Sequence, residues 1–391
     1  MRGSAEQLLD TPLNLPASYL LTRLGVTYCN QRSIPLRDIV TEDLRKGSGF
    51  AWKQVNLDFI QKLVTYGLID EIELRRSEFT AKREELLRLI REICYGMLRR
   101  RYRSALNADL QEVEQVSQLM AHPSISIDSK GARKIDPGLI TRTLETYREQ
   151  IAELRDSVFT RSSDILRGDT VFLEEKERFL NRVLSTIDEE TWFILFVVDY
   201  RSGKVEATEA LLETTRRFLR RTTIAEYGAL IFSELITIAE HAFLKNLAER
   251  DAYMRTHPEA LESKLADPEF RSKLAARAEL TGEPMTVSCR FEVHPYSPQH
   301  ESSVKIRIKN RGLIGYKSRK DVTGKPGRRL RRENLSDLIE QDTGGDLGAT
   351  LLGLYLDALT EAAETEGAQV STEVTRDERA DQTVTELTLR L

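Results

Sequence analysis

Between Ser77 and Leu166 the apolar residues return at spacings of four and three, and that rhythm limits the fold more than any other feature of the chain. Leu86, Ile90, Ile93 and Met97 set it, and Leu106, Leu110 and Val113 continue it. After Pro123 and Gly131 it resumes at Ile140, Leu144, Tyr147, Ile151, Leu154 and Val158. Such spacing keeps one apolar seam on one face of a helix, the pattern of paired long helices. Residues 77–168 are therefore expected to form two coiled-coil-like helices joined by the loop 122–137. They would pack as a hairpin within one chain or pair between two chains as a homodimer. Arg99, Arg100, Arg101 and Arg103 fall on the first helix and read as its solvated face.

At 391 residues the chain is long enough for two or three units. Ahead of the long helices, residues 1–76 hold short apolar-periodic segments broken by Pro12, Pro16, Pro35 and Gly47-Ser48-Gly49, which predicts a small, mostly helical unit. Behind them, residues 169–391 mix periods. Helical text over 172–187 leads to the continuous apolar run Trp192 to Val198, which suits a buried strand. Helices are expected over 206–220 and 224–250, and a charged helical excursion over 251–283. Strands follow at 285–293 and 304–308, then a helix over 347–365. The last two strands alternate at Val370, Thr372 and Val374 and at Leu387, Leu389 and Leu391. The expected architecture is a helical N-terminal part followed by an α/β sandwich, helices layered on a mixed sheet.

The balance of charge excludes several classes of function. Lys plus Arg number 58 against 62 Asp plus Glu, a formal net charge of -4, so no global field draws in nucleic acid or an anionic membrane. Nucleic-acid binding is not expected, and any such contact must come from a local patch. The longest apolar run is too short to cross a bilayer, and the N-terminus lacks the basic start and apolar core of a secretory signal. Cys29, Cys94 and Cys289 are far apart and form no CxxC pair, which fits a reducing cytoplasm and offers no zinc site. Gly324-Lys325 is followed by Pro326 and lacks the earlier glycine of a phosphate-binding P-loop.

Three segments nevertheless fall in a meaningful order: Glu234-Leu235-Ile236-Thr237-Ile238-Ala239-Glu240-His241-Ala242 on a helix, Asn310-Arg311-Gly312 after a strand, and Gly344-Gly345-Asp346-Leu347-Gly348 before a helix. Together they resemble the N box and the two glycine boxes of the histidine-kinase-like (GHKL) ATPases, over roughly residues 191–391. The resemblance implies an ATP-binding sandwich. In it Glu234 would be the general base, Asn310 with Gly312 would meet the adenine, and Gly344, Gly345 and Gly348 would admit phosphate at a helix N-terminus. Residues 313–343 would be the lid, with Lys325 and Arg328 among its cations.

Two departures qualify what the resemblance implies. The family's Mg²⁺-holding Asn is Ile238 here, which offers a hard cation no oxygen, so Mg²⁺ binding is in question; Glu240, His241 and Asn246 are the nearest substitutes. No histidine lies within Ser77–Leu106 to accept a phosphoryl group, and His122 precedes Pro123 in a loop. The expected function is a cytoplasmic signalling or regulatory protein with a divergent nucleotide-binding domain. The alternative is an interaction scaffold that keeps the fold with a silent pocket, and behind it a nucleic-acid-binding regulator acting through the basic lid.

Overall fold

The computed structural model describes residues 13–53, 56–122, 126–127, 133–200, 203–250, 257, 260–293, 302–311, 330–333, 347–377 and 382–390. The chain divides into two compact units, Met1–Met97 with Ile224–Leu391, and Leu98–Thr223. These do not follow the boundaries at 76 and 168 suggested by composition; the divisions fall within the helices Arg83–Glu112 and Glu206–Glu249.

The first unit is built on a nine-stranded sheet: β1 (Ala17–Leu21), β2 (Arg37–Val40), β3 (Lys46–Trp52), β4 (Ile69–Arg76), β7 (Met285–Val293), β8 (Ser302–Arg311), β9 (Leu330–Glu333), β10 (Gln369–Asp377) and β11 (Gln382–Arg390). Their order is β2-β3-β1-β4-β7-β8-β11-β10-β9. Every pairing is antiparallel, so the expected mixed sheet is corrected. The central strands alternate strictly. Ile72, Cys289, Ile306 and Leu387 occupy one row across four strands and are buried on one face. Their neighbours Glu71, Glu73, Arg290, Lys305, Arg307, Lys309 and Glu386 line the other. An antiparallel sheet with one apolar and one charged face is covered by helices on one side only.

Residues 1–76 are not mostly helical. They supply four strands, with α1 (Arg23–Gln31) and α2 (Leu57–Thr65) between them. Gly47-Ser48-Gly49, which reads as a turn, lies inside β3. The glycine there serves a close approach of strands: a Cβ on Gly49 would sit 1.8 Å from the Tyr19 carbonyl oxygen. The helical covering includes α3 (Arg83–Glu112), α9 (Glu206–Glu249) and α12 (Leu347–Thr365), with the short α10 (Leu261–Leu265) and α11 (Pro268–Leu280) in the charged excursion. Helix α9 is one helix of 44 residues where two were expected. No Gly or Pro interrupts 220–224, and Thr222 satisfies its hydroxyl on the Leu219 carbonyl at 2.7 Å. Its most apolar stretch is long enough to cross a membrane, yet two-thirds of it is buried within the fold.

The second unit is helical: the distal part of α3, then α4 (Glu114–Ala121), α5 (Pro137–Thr146), α6 (Arg148–Asp164), α7 (Leu173–Ser185), α8 (Glu189–Leu195) and the start of α9. The loop 122–137 carries a two-residue hairpin, β5 (Ser126–Ile127) with β6 (Arg133–Lys134). The seam from Ile140 to Val158 is broken at Tyr147 into α5 and α6, and Ile140, Ile151 and Val158 are buried within the single chain. The expected strand at 192–198 is helical instead, α8 passing into a π-helical turn at Phe196–Tyr200. Asp188 caps α8 by accepting from the Thr191 amide at 2.9 Å, and Glu189 and Glu190 suit its positive end. A fully apolar run has no period with which to distinguish strand from buried helix.

Where α9 crosses the sheet, Gly228 sits against Leu389 of β11, and a Cβ there would lie 2.9 Å from Leu389 Cδ1. Gly228→Val should therefore overpack this contact and lower stability by about 1–3 kcal/mol in urea unfolding; an unchanged midpoint would show that the helix has room to lift.

Candidate functional site

Helix α9 carries three buried glutamates in the first unit, and each is bonded to α3 or to the turn that leads into it. Glu226, fully buried, pairs with Arg91 at 2.7 Å and accepts a hydrogen bond from the Tyr95 hydroxyl. Glu234, 8% exposed, pairs with Arg83, whose Nε also donates to Ser233 Oγ at 2.7 Å. Glu240, fully buried, accepts from the amides of Phe79 and Thr80 at 2.5 and 2.8 Å and pairs with Arg271 of α11. The three carboxylates climb α9 as their partners descend from 95 to 79, so the two helices run antiparallel and are held in register by charge.

The expected general base is thus an ion-paired residue. Arg83 engages one of its two carboxylate oxygens, Oε1. Of the proposed substitutes for a metal ligand, Glu240 is engaged by two amides and a guanidinium, and His241 is half-exposed, 3.4 Å from Glu262 of α10. Asn246 is buried further along the helix. Among the described residues no cluster of three His, Cys, Asp or Glu could hold a metal ion.

Asn310 is the last inward-facing residue of β8, following Val304, Ile306 and Ile308 on the helix-covered face, and it is 2% exposed. Its amide donates to the Arg311 carbonyl at 3.0 Å, and it stands opposite Thr383 of β11. Gly348 is the second residue of α12, which packs against β10 and brings Tyr355 to 6.4 Å from Tyr227 of α9. Gly312, Lys325, Arg328, Gly344 and Gly345 lie outside the described residues.

The charged face of the sheet holds a feature that no sequence motif marked. The tip of the β2–β3 hairpin, Thr41–Arg45, folds over β4, β7 and β8 and closes a cavity of about 140 Å³ lined by Glu42, Asp43, Glu71, Glu73, Arg307 and Lys309. Asp43 bridges Arg290, at 2.9 Å, and Arg307; Glu42 meets Lys309 at 2.9 Å; Arg45 meets Glu71 at 2.7 Å. The Glu42 amide donates to Glu73 at 2.7 Å. Burial raises the Glu73 carboxyl above its ordinary value, against the lowering effect of that amide and of Arg75. Charged and apolar residues do alternate along β4 and β8 in the sequence, but the hairpin reaching across that face is a matter of tertiary geometry.

The model of DUF8084, a family of unknown function, matches residues 9–391. A protein of Treponema pallidum (strain Nichols), described as uncharacterized, is 21% identical over 385 residues, covering 96% of this chain and 97% of that protein. No solved structure matches.

Two measurements check the geometry. Arg91→Leu leaves the Glu226 carboxylate buried without its cation and should cost about 3–5 kcal/mol in denaturant unfolding; a loss below about 1 kcal/mol would show that the pair is not load-sharing. For Glu73, the raised folded-state value means that the native state binds the proton more tightly than the unfolded chain. Stability from this group is therefore greatest at low pH and declines as pH rises from the ordinary carboxylate value through the raised one. Unfolding of Glu73→Gln across a pH series should lack that decline, and identical pH profiles would contradict the assignment.

Proposed function

We propose that this chain, which belongs to the DUF8084 family, is a cytoplasmic regulatory protein whose first unit binds a nucleotide of the ATP type in a divergent histidine-kinase-like site and does not hydrolyse it. The observation that carries the reading is the chain order α9, α10, α11, β7, β8, β9, α12, β10, β11, with Asn310 inward at the end of β8 and Gly348 in the first turn of α12. That order and those two positions are what the resemblance in 191–391 implies for adenine and phosphate recognition. The Asn310 amide oxygen is an acceptor suited to an adenine amino group, without the charge assistance of a carboxylate. The N-terminus of α12, at Leu347 and Gly348, offers free amides to phosphate.

Chemistry beyond binding is disfavoured by the same helix. Ile238 supplies no oxygen to a cation, Glu234 is neutralised by Arg83, and Glu240 is committed to Phe79, Thr80 and Arg271. The three free, buried cysteines suit a reducing compartment. A second reading, a scaffold that keeps the architecture with a silent pocket, is favoured by the commitment of Glu234 and Glu240 to structural partners.

Thermal unfolding with ATP, ADP and a non-hydrolysable analogue, each with Mg²⁺ or with a chelator, separates the readings. A ligand at a hundred times its Kd stabilises by about 2.7 kcal/mol, so millimolar nucleotide should raise Tm by several degrees, equally with and without Mg²⁺. The shift should be lost in Asn310→Ala. No shift at 10 mM nucleotide (roughly the upper limit for a meaningful site) overturns nucleotide binding and leaves the scaffold.

A further inference from the structure

The hairpin of β2 and β3 reaches past the strand beside it. Pairing of β3 with β1 ends at Leu20 opposite Gly49, whereas β3 goes on pairing with β2 as far back as Lys46. Among the described residues, the arm from Asp38 to Ser48 therefore has no ladder partner but itself. Buried Ile39 seats the base of the arm, and Leu20 lies against Gly47. Beyond Ile39 the arm buries no apolar side chain: Val40 is 50% exposed and Leu44 77%.

The tip is nevertheless a closed body. The Thr41 amide donates to the Arg45 carbonyl at 3.0 Å, the Leu44 amide to the Thr41 carbonyl at 2.9 Å, and the Arg45 amide to Thr41 Oγ1 at 3.3 Å. Leu44 completes the turn in a left-handed backbone, φ 60°, a region that Leu enters only when its surroundings hold it there. What ties this body to the sheet is mainly charge. Asp43 meets Arg290 of β7 and Arg307 of β8; Glu42 meets Lys309 of β8 at 2.9 Å and Arg75 of β4 at 3.6 Å; Arg45 meets Asp70 and Glu71 of β4. The Glu42 amide adds its hydrogen bond to Glu73. The side chains of Glu42, Asp43 and Arg45 are each 33–38% exposed, so these pairs stand within reach of solvent ions. Beneath them is the cavity of about 140 Å³, whose floor includes the buried residues Thr286 and Ser288 of β7. Both point to the charged face of the sheet, away from the helix-covered face that carries Asn310, so the feature is independent of the proposed nucleotide site.

We propose that Thr41–Arg45 is a strap released by salt. In dilute salt its ion pairs close it over the cavity. Screening them lets the arm swing out beyond Ile39 as one body, which opens the cavity to solvent while the rest of the sheet stays folded. The separation follows from the two kinds of contact. Half-exposed pairs lose most of their attraction as the Debye length falls from about 10 Å at 0.1 M salt to about 3 Å at 1 M. The ladder bonds and apolar rows that hold β4, β7 and β8 together are not screened.

The test is hydrogen exchange and iodoacetamide labelling of the full-length protein, both read by mass spectrometry in about 0.1 M and about 1 M sodium chloride. Exchange in 40–46 should rise at least about threefold in the higher salt, with 69–76 and 285–293 unchanged. Ser288→Cys puts a thiol on the cavity floor, and its labelling should rise by a similar factor. Cys94 and Cys289, both buried, should stay unlabelled and so report that the sheet remains folded. Asp43→Asn removes the anion shared by Arg290 and Arg307; it should raise exchange and labelling about five- to tenfold in the lower salt and flatten the response to the higher. Lys273→Gln, in an exposed pair with Glu269 on α11, should match the parent. Exchange and labelling that ignore both salt and Asp43→Asn overturn the proposal. Labelling of Cys94 and Cys289 in step with the thiol at position 288 also overturns it, since the cavity would then open only by unfolding of the sheet.

Discussion

Three glutamates on one helix have to be neutralised for the first unit to exist. Glu226, Glu234 and Glu240 are buried along α9, and an ionised carboxylate taken out of water costs several kcal/mol unless a cation or several N–H groups receive it. Arg91 with Tyr95, Arg83, and the amides of 79 and 80 with Arg271 do so. Because these partners lie on α3, its leading turn and α11, satisfying the charges also fixes the direction and register of the helices against one another. Cys94 shows the reach of this charge: burial is the main cause that lifts its thiol to about 12, with Glu226 adding to it.

The same economy shapes the sheet. Its inward rows are mostly apolar, and on its outward rows Glu71, Arg290, Arg307 and Glu386 find counter-ions on a neighbouring strand or on the tip of the β2–β3 hairpin. The tip is held by ion pairs and by the hydrogen bond from the Glu42 amide to Glu73. Leu44, at its apex, has a left-handed backbone and is 77% exposed. A strap of this kind is sensitive to ionic strength, because half-buried pairs are screened more readily than enclosed ones.

Much of the C-terminal half was legible in the sequence because its elements carry clean periods. Strict alternation marked β7, β8, β10 and β11, and the run from Leu347 to Thr365 marked α12. Legibility failed where the local signal had two physical causes. Gly47-Ser48-Gly49 signals flexibility, whereas Gly49 answers the approach of the Tyr19 carbonyl. Trp192–Val198 is apolar on every side, which suits a buried helix as well as a strand. The spacing from Ile140 to Val158 correctly marks the buried side of two helices but is silent about the break at Tyr147. At the candidate site, short motifs placed Asn310 at the end of a strand and Gly348 at the start of a helix, where β8 and α12 have them. The arginine that neutralises Glu234 lies 151 residues away and carries no motif.

Helix α9 commits its buried carboxylates to structural partners, and the proposed function depends on that commitment. It is tested most directly by a double-mutant cycle between Arg83 and Glu234, using Arg83→Ala, Glu234→Ala and the pair in urea unfolding without nucleotide. Because Arg83 is partly exposed, a coupling energy of about 1–2 kcal/mol is predicted. A coupling within about 0.3 kcal/mol of zero would mean that Glu234 is not held by Arg83 and stands ready as a base, contradicting the assignment of a binding, non-hydrolysing site.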